Sequence, residues 1–177
     1  MYRLRFHGRG GQGMKTASRI LGTAFFLAGF EVQDAPRYGA ERRGAPIFAY
    51  VRANRRAINE RGIIRRPDLV IVADETLMLI PGAGVLEGIT AQTVLLISST
   101  EKPEVWQERL NLSGPVLTLP RAAALTDPLE LRFIGAACAG AAARLVGPRW
   151  HAAPGGRGRW STRPGRPAAG WAEAPGR

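Results

Sequence analysis

The chain has 177 residues, 45% hydrophobic and 22% charged, which suits one packed α/β domain plus a tail and is too short for a large multidomain enzyme. Its single cysteine, Cys138, excludes an internal disulfide and leaves no second thiol to share an iron–sulfur cluster or a zinc site within the chain. The formal charge of +11 invites a nucleic-acid reading, but it is unevenly placed: +3 over residues 1–36, +7 over 37–66, −4 over 67–146 and +5 over 147–177.

In chain order, Tyr2 to His7 alternates and runs into Gly8, a short first strand ending in a tight turn. From Gln12 the apolar residues Met14, Ala17, Ile20, Leu21, Ala24, Phe25, Leu27 and Ala28 recur at roughly helical spacing until Gly29, a C-cap. Phe30 to Val32 reads as a second strand, Pro36 to Gly44 as a polar, arginine-bearing loop, and Pro46 to Val51 as a third strand before a turn around Asn54 to Asn59. Leu69 to Ala73, bounded by Asp68 and Asp74, is a continuous apolar run of the kind covered on both faces. Thr76 to Ile80 reads as a helical turn ending at Pro81, Val94 to Ile97 as a buried strand, Pro103 to Leu110 as a short helix and Val116 to Leu119 as a strand. This alternation implies a Rossmann-like α/β domain, a mostly parallel sheet with helices on both faces.

Leu129 to Val146 reads as a helix whose centre, Gly135 to Ala143, holds only small residues and so suits close packing on the sheet or on another subunit. Cys138 falls inside that face as a small hydrophobe rather than a reactive thiol. The most apolar stretch, Phe133 to Val146, is interrupted by Arg144 and falls short of the roughly 20 residues that span a bilayer. No apolar leader follows Met1, so the expected location is cytoplasmic, without a membrane partner. The domain is expected over residues 1–146. After Val146 the composition turns to Gly, Pro, Arg, Ala and Trp, so residues 147–177 read as a disordered tail or as the product of a frameshift in a GC-rich gene. In the second case His151, Trp150, Trp160 and Trp171 carry no function; an RNA-binding tail is the sharper alternative. Arginine supplies 23 of the 25 basic residues, a bias that GC-rich coding also produces, and nucleic acid is not the expected partner.

The string Gly8-Arg9-Gly10-Gly11-Gln12-Gly13 places GxGxxG between a strand and a helix. Glycines let a backbone approach a pyrophosphate, and the first amides of the helix point at it with the positive end of the dipole. Glu31, 18 residues past Gly13, would suit a nucleotide ribose. Two readings stay open at this point: a nucleotide-type phosphate site, or glycines that only tighten a strand-to-helix turn.

GRGGQG with Met14, Lys15 and Thr16, then APRYGAERRGAP from Ala35 to Pro46, then PDLVIVAD from Pro67 to Asp74, resembles the gamma subunit of 2-oxoacid:ferredoxin oxidoreductases, in the pyruvate and 2-ketoisovalerate branch. The resemblance covers residues 3 to 146. It implies a complex that oxidatively decarboxylates a 2-oxoacid, passes electrons to ferredoxin and makes acyl-CoA, with alpha, beta and delta-type subunits as partners. Thiamine diphosphate, Mg and the iron–sulfur clusters would sit on those partners, and this chain, inactive alone, would contribute coenzyme A contacts and assembly. No catalytic residue or metal ligand is expected here. The expected coenzyme A contacts are Gly8, Gly10, Gly11, Gln12 and Gly13 from the first motif and Tyr38, Arg42 and Arg43 from the second. Arginine binds phosphate oxygens as a planar bidentate donor. Arg42 and Arg43 are adjacent and point to opposite sides of an extended chain, so one at most faces a given phosphate, and a solvated basic loop or a subunit salt bridge remains open. Gln12 either donates to a phosphate or caps the turn; Lys15 points outward, and His7 reads as a packed histidine. The alternative function is a stand-alone NAD-type nucleotide-binding protein using the same glycine loop.

Overall fold

The computed structural model describes residues 1–37, 44–120, 128–151 and 159–162. Strands β1 (Tyr2–Arg9), β2 (Glu31–Arg37), β3 (Pro46–Asn54), β4 (Leu69–Val72), β5 (Val94–Ser99) and β6 (Val116–Pro120) form one sheet in the order β2-β3-β1-β4-β5-β6. Strands β1, β4, β5 and β6 pair in parallel, as expected, whereas β3 runs antiparallel to both β1 and β2. The sheet is therefore mixed, because β2 and β3 are joined by a connection too short for the crossover that parallel strands need.

Alternation sorts the strand residues between two cores. Leu4 and Phe6 of β1, Leu69 and Ile71 of β4 and Val94 and Leu96 of β5 meet helix α1 (Met14–Leu27) and helix α3 (Pro128–Val146) on one face. Val70 and Val72 of β4 with Leu95 and Ile97 of β5 meet Trp106 of helix α2 (Pro103–Arg109) and the 3-10 turns at Glu75–Leu79 and Pro81–Ala83 on the other. Both faces are covered, the second mainly by short turns. Every side chain of β4 and β5 is buried, which accounts for their unbroken apolar runs.

Helix α1 buries Met14, Ala17, Ser18, Leu21, Ala24 and Phe25, and Gly29, with φ of 80°, follows its last turn as the sequence expects. In α3 the stripe Ile134, Cys138, Ala142, Val146 packs inward at four-residue spacing. Burial pushes the Cys138 thiol up to about 12, so it stays protonated and inert. Beyond Val146, β7 (Pro148–His151) pairs antiparallel with β8 (Arg159–Thr162), Trp150 opposite Trp160, and both strands lie against α1. The remaining tail residues, 152–158 and 163–177, lie outside the described part.

Candidate functional site

Chain direction changes face between β1 and β4. After β1 the chain enters α1 on one side of the sheet, and after β4 it enters the 3-10 turns on the other. Ligands of open α/β sheets bind in the crevice outside the carboxyl ends of strands at such a point. The glycine string lies there. Gly13 caps α1 with φ of 73° and ψ of 23°, and Gly11 has φ of 97°, backbone that an L side chain adopts only with strain. Gly8 is needed for space: a Cβ on it would stand 2.5 Å from the buried Met14 Cγ.

Helix α1 has no side-chain cap at its N-terminus and no acidic residue in its first turn. No side chain of its own first turn neutralises the positive end of the helix, and the nearby Asp74 carboxylate is taken up by Arg9, Gln12 and Thr76. Other loop donors are committed. Gly10 N donates to Ala45 O at 2.9 Å and Gln12 N to Arg9 O at 3.0 Å. The buried Gln12 side chain accepts from Arg9 N at 2.7 Å and donates to Asp74 Oδ2 at 3.1 Å. Lys15 is exposed on α1, as expected.

Arg9 completes a network across the crevice. Its guanidinium donates to Asp74 Oδ2 at 3.0 Å, to Gly44 O at 2.9 Å and to Thr76 Oγ1 at 2.7 Å. Burial pushes the Asp74 carboxyl up, but hydrogen bonds from Thr76 and Gln12 and the nearby Arg9 charge outweigh it, and Asp74 stays below its ordinary value. Sequence reasoning did not place Arg9, Asp74 or Thr76 in the site. The available signal was that Arg9 interrupts the glycines and Asp74 closes the apolar run of β4.

The two sequence motifs are tied together at their bases. Gly44 N donates to Gly10 O at 3.3 Å, and with the Gly10–Ala45 and Arg9–Gly44 bonds this pins the end of the second motif to the glycine loop. Tyr38, Arg42 and Arg43 lie outside the described residues. Glu31 is a correction. It starts β2 opposite Asn54, level with the beginning of β1, roughly 23 Å along the strands from the loop at about 3.3 Å per residue. Strand β3 lies between β1 and β2, so Glu31 does not reach a ribose bound at the loop by the dinucleotide route, and the NAD reading loses its support.

A second concavity of about 580 Å³ opens on the other face, between Phe48, Tyr50, Ile63 and the turn at Gly82–Gly84. Its floor holds Arg5, which donates to Val85 O at 2.8 Å, and His7, packed edge-on against Phe48. Burial and the Arg5 charge lower the His7 pKa to about 3, so the ring is neutral, while Ala83's backbone acts weakly in the opposite direction. Both His7 nitrogens are sealed from solvent without a partner in hydrogen-bonding geometry. No ligand reaches them while the turn stays in place, so His7 is a packing residue, as expected.

Residues 3–150 match the family described as Pyruvate ferredoxin/flavodoxin oxidoreductase. The chain is 35% identical over 147 residues to pyruvate synthase subunit PorC of Methanosarcina barkeri, covering 83% of this chain and 79% of that one. It is 35% identical over 148 residues to the pyruvate/ketoisovalerate oxidoreductases common subunit gamma of Pyrococcus furiosus, with the same coverage. The crystal structure of pyruvate oxidoreductase subunit PORC from Thermotoga maritima superposes with a TM-score of 0.65 at 31% identity, over 81% of this chain and 75% of that one.

Proposed function

The chain belongs to the pyruvate ferredoxin/flavodoxin oxidoreductase family as a gamma-type subunit, and from that premise we propose that its own part in the complex is to hold the anionic portion of coenzyme A. Coenzyme A carries a pyrophosphate and a 3′-phosphate. The observation that carries the reading is the uncapped positive end of α1 behind a glycine turn at the switch point of the sheet, with the base of the arginine-bearing motif bonded to that turn. Amides at the start of α1 bind one phosphate, and Arg42 or Arg43 supplies a charge-assisted clamp on the same ligand. Gln12 and Gly10 serve by holding the loop's shape. Thiamine diphosphate, Mg and iron–sulfur clusters belong to the alpha, beta and delta-type partners, which carry the oxidation and pass electrons to ferredoxin. No helix among the described residues is long and apolar enough to cross a membrane.

Amide hydrogen exchange on the assembled complex tests this contact. Addition of coenzyme A should slow exchange of the amides between Gly11 and Thr16. Unchanged exchange there, at coenzyme A concentrations that saturate turnover, would contradict the reading.

A further inference from the structure

Helix α3 crosses directly behind the glycine loop. A Cβ built on Gly135 would lie 2.7 Å from Gly13 O, 2.8 Å from Gln12 O and 2.9 Å from the Gly13 carbonyl carbon. All three are backbone atoms, which cannot swing aside as a side-chain tip can. A trans peptide is planar, with its C=O and N–H pointing in opposite directions. The two carbonyls pressed toward Gly135 therefore share their peptide planes with the N–H groups of Gly13 and Met14, which point away from α3. Gly13 O also accepts the first helical bond of α1, from Ala17 N at 2.8 Å. On its side-chain edge the same loop is held by Asp74, whose Oδ2 accepts from both Arg9 and Gln12.

We propose that Gly135 and Asp74 are positioning residues for the ligand-binding glycine loop: α3 backs the loop's carbonyls so that the opposite amides are aimed at the anion, and Asp74 fixes the loop's side-chain edge. This rests on the reading that the loop binds the phosphates of coenzyme A. The absence of a side chain at Gly135 sets how closely α3 approaches, and so where the amides of Gly13 and Met14 stand. Gly140 on the same helix is the internal contrast, because a Cβ there meets nothing within 4 Å.

The test is a coenzyme A titration of assembled complexes carrying Gly135→Ala, Gly140→Ala or Asp74→Asn, with coenzyme-A-independent decarboxylation of the 2-oxoacid followed alongside. Asparagine keeps an acceptor for Thr76 N but cannot accept from Arg9 and Gln12 at the second position, and it adds no volume. Displacing positioned groups by about 1 Å can cost up to a factor on the order of 100, so Gly135→Ala and Asp74→Asn should raise KM for coenzyme A by roughly 10- to 100-fold. Turnover at saturating coenzyme A and the independent decarboxylation should change little, and Gly140→Ala should match wild type throughout. Wild-type KM in either Gly135→Ala or Asp74→Asn, or an equal rise in Gly140→Ala, overturns the proposal. Should Gly135→Ala fail to assemble, Asp74→Asn decides alone. Hydrogen exchange of the wild-type complex separates the two failures: protection of Gly11–Thr16 by coenzyme A with unchanged variants removes the positioning roles only, whereas no protection removes the binding reading beneath them.

Discussion

His7 shows how one side chain can be readable in role and hidden in consequence. Its position at the end of an alternating strand suggests a packed histidine with Arg5 next to it on the same face, but nothing in the sequence places the turn at Gly82–Gly84 over both. Burial and that guanidinium leave a folded-state pKa of about 3 against an ordinary 6.5. The unfolded chain thus takes up the proton first, and the His7 contribution is lost as pH falls from 6.5 toward 3. Every tenfold difference in proton affinity between the folded and unfolded chain is worth about 1.4 kcal/mol, so the effect reaches several kcal/mol at the acid end. His7→Leu should flatten the dependence of the unfolding midpoint on pH over that range, whatever it does to stability at neutral pH. An unchanged slope, or a His7 ring that titrates near 6.5 in folded protein, would contradict this. Asp74 was harder to foresee. It looks like a strand boundary, and its partners Arg9, Gln12 and Thr76 converge on it only when β1 and β4 lie side by side.

At the scale of elements, periodicity located the three helices α1 to α3 and the strands of the main sheet except most of β2, read as Phe30 to Val32 but running Glu31–Arg37, because burial on one or two faces imposes a period that this polar edge strand does not carry. It did not give pairing partners. Strand β3 inserts between β1 and β2, and a run such as PIFAYV reads the same in either direction of pairing. That insertion is also what displaced Glu31 from its expected role. The glycines divide by cause: Gly11 and Gly13 serve backbone angles, Gly8 serves the Met14 side chain, and Gly135 serves the loop in front of α3. Gly8→Ala should therefore destabilise the chain by about 1–3 kcal/mol through overpacking. Gly140→Ala, in open space on a helix, should instead stabilise it by about 0.4–1 kcal/mol. Chemical denaturation of the two variants reads the contrast, and equal midpoints would show that the Met14 contact yields without cost.

For the whole molecule, the net charge proved a poor guide and its distribution a better one. Two arginines of the basic block at 37–66 are structural. Arg52 is buried and donates to Gly62 O at 2.9 Å, while Arg55 stacks 3.9 Å over the Phe30 ring and donates to Ala28 O at 3.0 Å, covering the end of α1. These contacts join segments far apart in sequence, so composition could not separate them from arginines available to a ligand. The proposed coenzyme A clamp gives that task to Arg42 or Arg43. The most direct measurement is a pair of titrations on assembled complexes carrying Arg42→Ala or Arg43→Ala, recording the coenzyme A requirement and coenzyme-A-independent decarboxylation separately. A charged hydrogen bond is worth about 1.5–3 kcal/mol, so loss of the clamp should raise the coenzyme A requirement roughly 10- to 100-fold in at least one variant while decarboxylation persists. Normal assembly of both variants with the wild-type coenzyme A requirement would contradict the assignment.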